Sequence, residues 1–129
     1  MLKITVEAEV RPTEEVEKVK RAVGSFYKGE VIVEEVREGW FVVRGVSNNI
    51  EDLKPLRDKA RAEGVEPALR GYLLKNMKGD TTSLLLHKQA AYAGRISLID
   101  TPKESPLGPI TISIESDDLY EAINYLTGS

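Results

Sequence analysis

Residues Leu84 to Ile114 read LLLHKQAAYAGRISLIDTPKESPLGPITISI, and this stretch contains the strongest structural signals in the chain. The apolar runs at its start and end predict strands, because aliphatic and β-branched side chains suit a half-buried pleated sheet. In the turn at 105–109, prolines fix φ and Gly108 admits a positive φ. The small residues at 89–94 fit either a bulged continuation of the first strand or a single helical turn ended by Gly94.

In the N-terminal part of the chain, apolar and polar residues first alternate, and apolar residues then recur at helical spacing. Apolar residues at the even positions from Leu2 to Val10 alternate with polar ones, which predicts a strand with one buried and one wet face. Pro12 ends this strand, and Thr13 is expected to cap the next helix because its hydroxyl can accept from a free backbone N–H. The apolar stripe of that helix is Val16, Val19, Val23 and Phe26.

The middle of the chain predicts a hairpin followed by two helices. Residues 31–36 and 40–46 are rich in β-branched and aromatic side chains, and they are joined by a short turn that contains Gly39. Residues 50–63 and 65–77 then have apolar side chains at helical spacing.

Three further strands and a last helix complete the chain. The strands are predicted at 81–88, 95–100 and 110–115, and Asp117 or Asp118 is expected to cap the helix that follows. The element order is then βαββααβββα, and its first βαβ crossover resembles half of a ferredoxin-like unit. Short connections favour antiparallel pairing, and the amphipathic helices need a sheet face to cover. The sequence therefore predicts one α+β domain over residues 1–129, a two-layer sandwich of a mostly antiparallel sheet with helices on one face.

Composition narrows the class of protein. A chain of 129 residues with 41% hydrophobic and 30% charged residues is typical of one soluble globular domain. The absence of cysteine excludes disulfides and thiolate nucleophiles, and a single histidine makes a zinc site uncommon. The opening residues carry charges, and no apolar run approaches the roughly 18 to 20 residues of a membrane span. We expect a cytoplasmic protein without a signal peptide, membrane contact, metal or cofactor.

Charge is distributed unevenly along the chain, whose net charge is −3. Residues 53–103 carry ten basic and five acidic side chains, whereas residues 104–129 carry five acidic side chains and no basic one. Between Lys54 and Lys78, basic residues outnumber acidic ones by seven to three. Two paired helices could display these cations as one face that meets phosphates by charge. The alternative interpretation is ordinary solvation of two helices.

No nucleotide-binding or catalytic motif is present. The chain has no GxxxxGK[ST] loop, no GxGxxG and no GxSxG elbow. His87 could contact phosphate or transfer a proton, but a half-buried strand residue is the simpler interpretation. Trp40 could stack on a base, although a large aromatic in a strand usually packs in the core or at a sheet edge. Lys88 and Arg95 flank a small-residue segment beside the amide of Gln89. This arrangement predicts either a phosphate-binding patch or sheet packing with exposed charged ends.

Three motifs occur in a recognisable order. PTEEVEKV at 12–19 follows the opening strand, KQAA at 88–91 is followed by Gly94, and PLG at 106–108 precedes a strand. Together they resemble an archaeal family of conserved proteins of unknown function, uncharacterised protein family 0201, often described as RNA-binding or exosome-subunit-like. The resemblance covers essentially the whole chain, and the LxxKQAAxxG segment is its most specific part. An asparagine often stands in that family where His87 stands here.

This resemblance implies a fold similar to the large-subunit ribosomal protein that binds 5S ribosomal RNA, and it brings no catalytic residues. The leading hypothesis is a non-catalytic RNA-binding or RNP-associated module with structured RNA as its partner. Its candidate contacts are Arg57, Arg61, Arg70, Lys75, Lys78, Lys88, Gln89 and Arg95. The acidic pI of about 5.3 and the lack of an aromatic-basic RNA signature count against it.

Two alternatives belong to other classes. The second hypothesis is a protein-interaction or homo-oligomeric scaffold, such as a homodimer that pairs through an exposed strand edge. The third is an enzyme that acts on a small phosphorylated ligand, and it rests on one histidine and a few cations.

Overall fold

The computed structural model describes residues 1–128 and contains a six-stranded sheet covered by helices. The strands are β1 (Leu2–Val10), β2 (Ile32–Arg37), β3 (Trp40–Ser47), β4 (Thr81–Leu86), β5 (Leu98–Ile99) and β6 (Ile110–Ser116). The helices are α1 (Val16–Gly24), α2 (Lys54–Ala62), α3 (Glu66–Lys75), α4 (Lys88–Tyr92) and α5 (Leu119–Thr127). Short 3-10 turns at Ile50–Leu53 and Pro102–Glu104 precede α2 and β6. The predicted α+β class is confirmed.

All neighbouring strands in the sheet are antiparallel, in the order β2-β3-β1-β6-β4-β5. The central strand β1 places Val6 opposite Gly45 of β3 and Ile112 of β6. The even-numbered residues of β1 from Ile4 to Val10 are buried, as are the isoleucines of β6. The helices pack on this face, so the period-2 alternation directs one side of the sheet into the core.

The element order agrees with the prediction apart from one additional short helix. The segment after β4 forms the five-residue helix α4, which ends before Gly94 at φ 73°. A helical turn, not a bulged strand, is therefore the outcome at 89–94. Strands β1 and β2 run in the same direction with β3 between them, which is a split βαβ arrangement.

The start of α1 differs from the prediction. Thr13 does not cap the helix, which begins at Val16 with Glu15 in the capping position and no side-chain hydrogen bond. The reason lies in a turn one step earlier, where Glu14 N–H donates to Arg11 O at 2.8 Å and Arg11 N–H donates to the Glu14 carboxylate at 3.0 Å. This reciprocal pair holds 11–14 in a turn, and the helix forms only after it.

The strand predicted at 95–100 is also shorter than expected, since only Leu98–Ile99 joins the sheet. The backbone N–H of Ile96 donates to the carboxylate of Glu63 and so leaves the sheet ladder. The hydroxyl of Tyr72 lies between β4 and β5, where it donates to Ile99 O at 2.5 Å and accepts from Leu85 N–H at 3.3 Å. A side chain thus replaces a ladder hydrogen bond, and this part of the edge strand ends early.

The backbone of β3 also accommodates a buried aromatic ring. Tyr27 is 2% exposed, and a Cβ atom at Gly45 would lie 2.6 Å from Tyr27 Cε2 and 3.1 Å from Glu30 O. Burial raises the pKa of the Tyr27 phenol, whose hydroxyl donates to Glu30 O at 3.4 Å. Only glycine leaves room for the ring at this position.

Gly45→Ala should therefore destabilise the protein. The new methyl group would overlap the Tyr27 ring and a backbone oxygen, and overpacking of this kind costs about 1–3 kcal/mol in the free energy of unfolding. Urea denaturation measures this difference. Gly71→Ala is the matched control, because no atom lies within 4 Å of its added Cβ and alanine is favoured in a helix by about 1 kcal/mol. Equal stability of the two variants would contradict the steric argument.

Candidate nucleic-acid interface

Lys88 is completely buried at the start of α4, and its ammonium group is surrounded by acceptors. Its Nζ donates to Glu9 O at 2.7 Å, to Leu107 O at 2.5 Å and to the Glu14 carboxylate at 3.0 Å. The Glu14 side chain is 3% exposed. We call Lys88, Glu14 and Tyr92 the lysine network, because the Tyr92 hydroxyl donates to the second oxygen of Glu14.

Each charged group of the lysine network has hydrogen-bond partners within the fold. Burial lowers the pKa of the Lys88 ammonium from its usual value, and the hydrogen bond and charge of Glu14 oppose this change. Burial, followed by the hydrogen bond to Glu14, raises the pKa of the Tyr92 phenol. A buried charge is tolerated when it is paired and all its hydrogen-bonding capacity is used, and the three bonds of Lys88 meet this condition.

The lysine network joins the three sequence motifs in space. Lys88 comes from the KQAA segment, Glu14 from PTEEVEKV and Leu107 from the PLG turn. Ser105 reinforces the contact, since its hydroxyl accepts from Lys88 N–H at 3.1 Å and donates to Gly108 O at 2.7 Å. Lys88 was expected to contact phosphate, and its burial does not fit that role. Its ammonium group instead holds these segments together.

Three of the predicted cations lie against the end of α5. Arg57 stacks on Tyr125 with its guanidinium carbon 4.6 Å from the ring centroid, and Arg70 donates to Asn124 Oδ1 at 2.7 Å. Arg61 lies 3.8 Å from Glu66, next to the position of Gly128. The C-terminal end of a helix carries partial negative charge, so three arginines around it are stabilising. These side chains hold α2 and α3 to α5.

The other predicted contacts are exposed but lie in different places. Lys75 ends α3, and Lys78 lies in the loop after it, next to residues of a depression lined by Asp80, Asp117 and Asp118. Gln89 is exposed within α4, and Arg95 is exposed in the segment that follows it. The half-buried His87 lies at the junction of β4 and α4, where its backbone N–H donates to Ser97 O. The predicted residues therefore do not share one face.

The structure shows a different cationic site between α1 and α4. We call it the α1–α4 groove. It has a volume of about 550 Å³, which is within the range of about 300–1,000 Å³ for ligand sites. Its lining residues are Lys18, Arg21, Ala22, Ser25, Tyr92, Ala93 and Gly94.

Four positive charges lie in or beside the α1–α4 groove. Lys18 and Arg21 line it, and the ammonium of Lys59 would lie 3.3 Å from a Cβ atom at Gly94. Arg95 follows directly in the chain. Within residues 1–128, none of these cations has a carboxylate oxygen within 4.0 Å. The nearby Glu63 carboxylate accepts from Ile96 N–H at 3.2 Å with both oxygens. The groove therefore attracts anions.

The open face of the sheet carries charges of both signs. Its carboxylates include Glu7, Glu9, Glu34 and Glu115, and its cations include Lys3, Arg37 and Arg44. Arg44 is paired with Glu34 at 2.7 Å and with Glu7 at 3.6 Å. The carboxylates offset these cations, so this face attracts phosphates less than the α1–α4 groove does.

Trp40 is not free for base stacking either. Its half-buried ring carries the guanidinium of Arg37 at 4.2 Å and that of Arg11 at 5.6 Å. The ring therefore packs against side chains of the protein, although β3 is flanked by β2 and is not an edge strand.

Lys88→Met should destabilise the protein strongly. Removing one partner of a buried ion pair leaves the other uncompensated, which costs about 3–5 kcal/mol. The measurement is the free energy of unfolding in urea, with the exposed Lys78→Met as control, expected within about 0.5 kcal/mol of the unaltered protein.

Adding Glu14→Gln to Lys88→Met tests the coupling within the network. The double variant should be less destabilised than the sum of the single variants by about 1–3 kcal/mol, because the second change removes the unpaired charge. Additive losses would show that Lys88 and Glu14 act independently.

The comparisons with known proteins agree on one family. A family model described as RNA binding matches residues 3–116. A UPF0201 protein of Sulfurisphaera tokodaii is 39% identical over 127 residues, covering 98% of this chain and 88% of that protein. A UPF0201 protein of Aeropyrum pernix is 41% identical over 126 residues, covering 97% of this chain and 84% of that protein.

Solved structures give the same result. The crystal structure of a UPF0201 protein from Methanococcus jannaschii is 26% identical, with a TM-score of 0.82 over 98% of this chain and 93% of that chain. A DUF54 protein from Sulfolobus solfataricus, 17% identical, has a TM-score of 0.67 over 98% of this chain and 97% of that one, which shows similarity of fold. Among residues 1–128, no helix is both long and apolar enough to cross a membrane. The chain belongs to the UPF0201 family, as the order of its three motifs predicts.

Proposed function

We propose that this protein is a non-catalytic RNA-binding module, and that the α1–α4 groove holds the phosphates of its RNA. The observation that carries this proposal is the group of unpaired cations around the groove, Lys18, Arg21, Lys59 and Arg95. The family model described as RNA binding supports the same class of partner.

The distribution of charge favours RNA binding at the α1–α4 groove over binding at the open face of the sheet. Phosphates bound by lysine and arginine release condensed counterions. For single strands, the logarithm of the binding constant therefore falls by about 0.7 per phosphate contact for each tenfold rise in salt concentration. Three contacts from Lys18, Arg21 and Lys59 correspond to a slope of about 2. The cations of the open sheet face are offset by carboxylates, as in the pair of Arg44 with Glu34 at 2.7 Å, so phosphates gain less there. A protein of net charge −3 can therefore still present one attractive surface.

The lysine network supports a role without catalysis. Lys88 Nζ donates its three hydrogen bonds to Glu9 O, Leu107 O and the Glu14 carboxylate. Glu14 also accepts from the Tyr92 hydroxyl, so the hydrogen-bonding capacity of these groups is used within the fold. A lysine that donates three hydrogen bonds to fixed acceptors acts as a structural cross-link.

Replacing two groove cations should weaken RNA binding. Lys18→Gln with Arg21→Gln should reduce the affinity for a structured RNA roughly tenfold and lower the salt slope by about 1.4, because two phosphate contacts are lost. Fluorescence anisotropy with labelled transfer or ribosomal RNA fragments at several salt concentrations measures both quantities.

The matched control is Lys75→Gln with Lys78→Gln, which removes the same charge from the end of α3. Binding should change less than threefold in this variant. Equal losses in both double variants would assign the effect to net charge and contradict the groove. Absence of binding by the unaltered protein at low salt would overturn the proposed function.

A second candidate function, self-association, rests on the free edge of β2. All six residues of β2 are exposed, and Ile32 and Val36 are each 58% exposed on this edge strand. The neighbouring Val46 is exposed to the same extent. An unpaired strand with apolar side chains can pair with a second copy of itself. Glu34 and Glu35 on the same strand oppose indiscriminate pairing.

Ile32→Lys with Val36→Lys should shift any dimer to monomer, because charged lysines on an edge strand prevent pairing. Light scattering over a concentration series measures the molecular mass. Tyr120→Lys is the control, since Tyr120 is equally exposed on α5, away from β2. A monomer at every concentration before any substitution would rule out this second function.

A further inference from the structure

The α1–α4 groove contains an aromatic ring as well as cations. Tyr92 lines the groove and is 39% exposed, although it belongs to the lysine network. Its hydroxyl donates to Glu14, and the Glu14 carboxylate is itself held by Lys88 Nζ and by Arg11 N–H. The ring is therefore anchored at its polar end, and its remaining surface faces the groove.

The walls beside this ring are small. Ala22 and Ala93 line the groove, and Gly94 has no side chain between its backbone and the ammonium of Lys59. Small residues let a flat ligand approach closely. Ser25 adds a hydroxyl to the lining, and its only hydrogen bond within residues 1–128 is a long one, 3.4 Å, to Arg21 O.

On the basis of the RNA-binding function proposed above, we propose that the α1–α4 groove binds one unpaired nucleotide of a single-stranded RNA segment. Its base stacks on Tyr92, and its flanking phosphates lie against Lys18, Arg21 and Lys59. The groove volume of about 550 Å³ leaves room for one nucleotide.

Single-stranded RNA fits this combination of groups better than a duplex does. Bases in loops and ends can leave the stack and lie on aromatic side chains, whereas the bases of a duplex are stacked on each other. Sequence-tolerant binding of single strands uses aromatic platforms together with cations that follow the backbone. The groove supplies both within the space between two helices.

Through Tyr92, the lysine network also helps to position the surface on which the base is proposed to stack. The network fixes Glu14, Glu14 fixes the hydroxyl of Tyr92, and the ring of Tyr92 is the part that reaches the groove. A platform held in place before binding loses less conformational entropy when the base arrives.

The test uses fluorescence anisotropy at low salt with three labelled probes of ten nucleotides. They are a single strand of adenosines, a blunt RNA duplex, and a strand of abasic ribose phosphates. The unaltered protein should bind the adenosine strand at least tenfold more tightly than the duplex. Tyr92→Ala should weaken binding of that strand roughly five- to 100-fold and leave the abasic strand unchanged, because only the stacking contact is lost.

Two further variants separate stacking from changes in the network. Tyr92→Phe keeps the ring and removes the hydroxyl, so its affinity should stay within threefold of the unaltered protein. Tyr120→Ala removes an exposed tyrosine outside the groove and should have no effect. Thermal unfolding of each variant shows that it is folded at the assay temperature.

The outcomes distinguish this inference from the function on which it rests. Equal binding of duplex and single strand, no effect of Tyr92→Ala, or an equal loss in Tyr92→Phe would each overturn the stacking site and leave RNA binding in place. Failure of every probe and of structured RNA to bind would overturn both.

Discussion

The fold depends on one buried positive charge. Removing an ammonium group from water is costly, and the cost is offset only if the surrounding acceptors are held in the correct places. Lys88 has two backbone carbonyls and the Glu14 carboxylate around it, and these come from the end of β1, the turn before α1 and the turn before β6. Each of these segments therefore contributes an acceptor to the same side chain. A second contact joins two of them, since Arg11 Nη1 donates to Pro106 O at 2.8 Å.

Most strands and helices could be predicted from the spacing of apolar residues, because an element with one buried face has apolar side chains at regular intervals. Strands β1 and β6 agree closely with the prediction, as does the cap of α5 by Asp118, which accepts from Glu121 N–H. The sequence of the short α4 fits two interpretations, since five residues are too few to show a period. The strand predicted at 95–100 is shortened to Leu98–Ile99 for a different reason, because side chains from distant segments take its backbone partners. The Glu63 carboxylate accepts from Ile96 N–H, and the Tyr72 hydroxyl bonds Ile99 O and Leu85 N–H.

The candidate site was harder to predict than the fold. Lysine is usually exposed, so nothing in the sequence marks Lys88 as a core residue. The groove combines residues of α1, α2 and α4, which are far apart in the chain and become neighbours only through packing. One signal was available, since Lys18, Arg21 and Ser25 are spaced at i, i+3 and i+7 and so share a helix face. The position of the arginines of α2 and α3 could not be predicted either, because charge counts do not reveal which cations pack against a helix terminus.

The two edges of the sheet differ in a way that limits assembly. At one edge β2 offers six exposed residues, whereas at the other β5 has only Leu98–Ile99. A strand of two residues is too short to serve as a template for another chain. Growth into a continuous intermolecular sheet requires two edges on every subunit that can pair, and within residues 1–128 only β2 is long enough. Any pairing through β2 would consume that edge in both partners, so it would close as a two-fold symmetric unit and could not extend into a fibre.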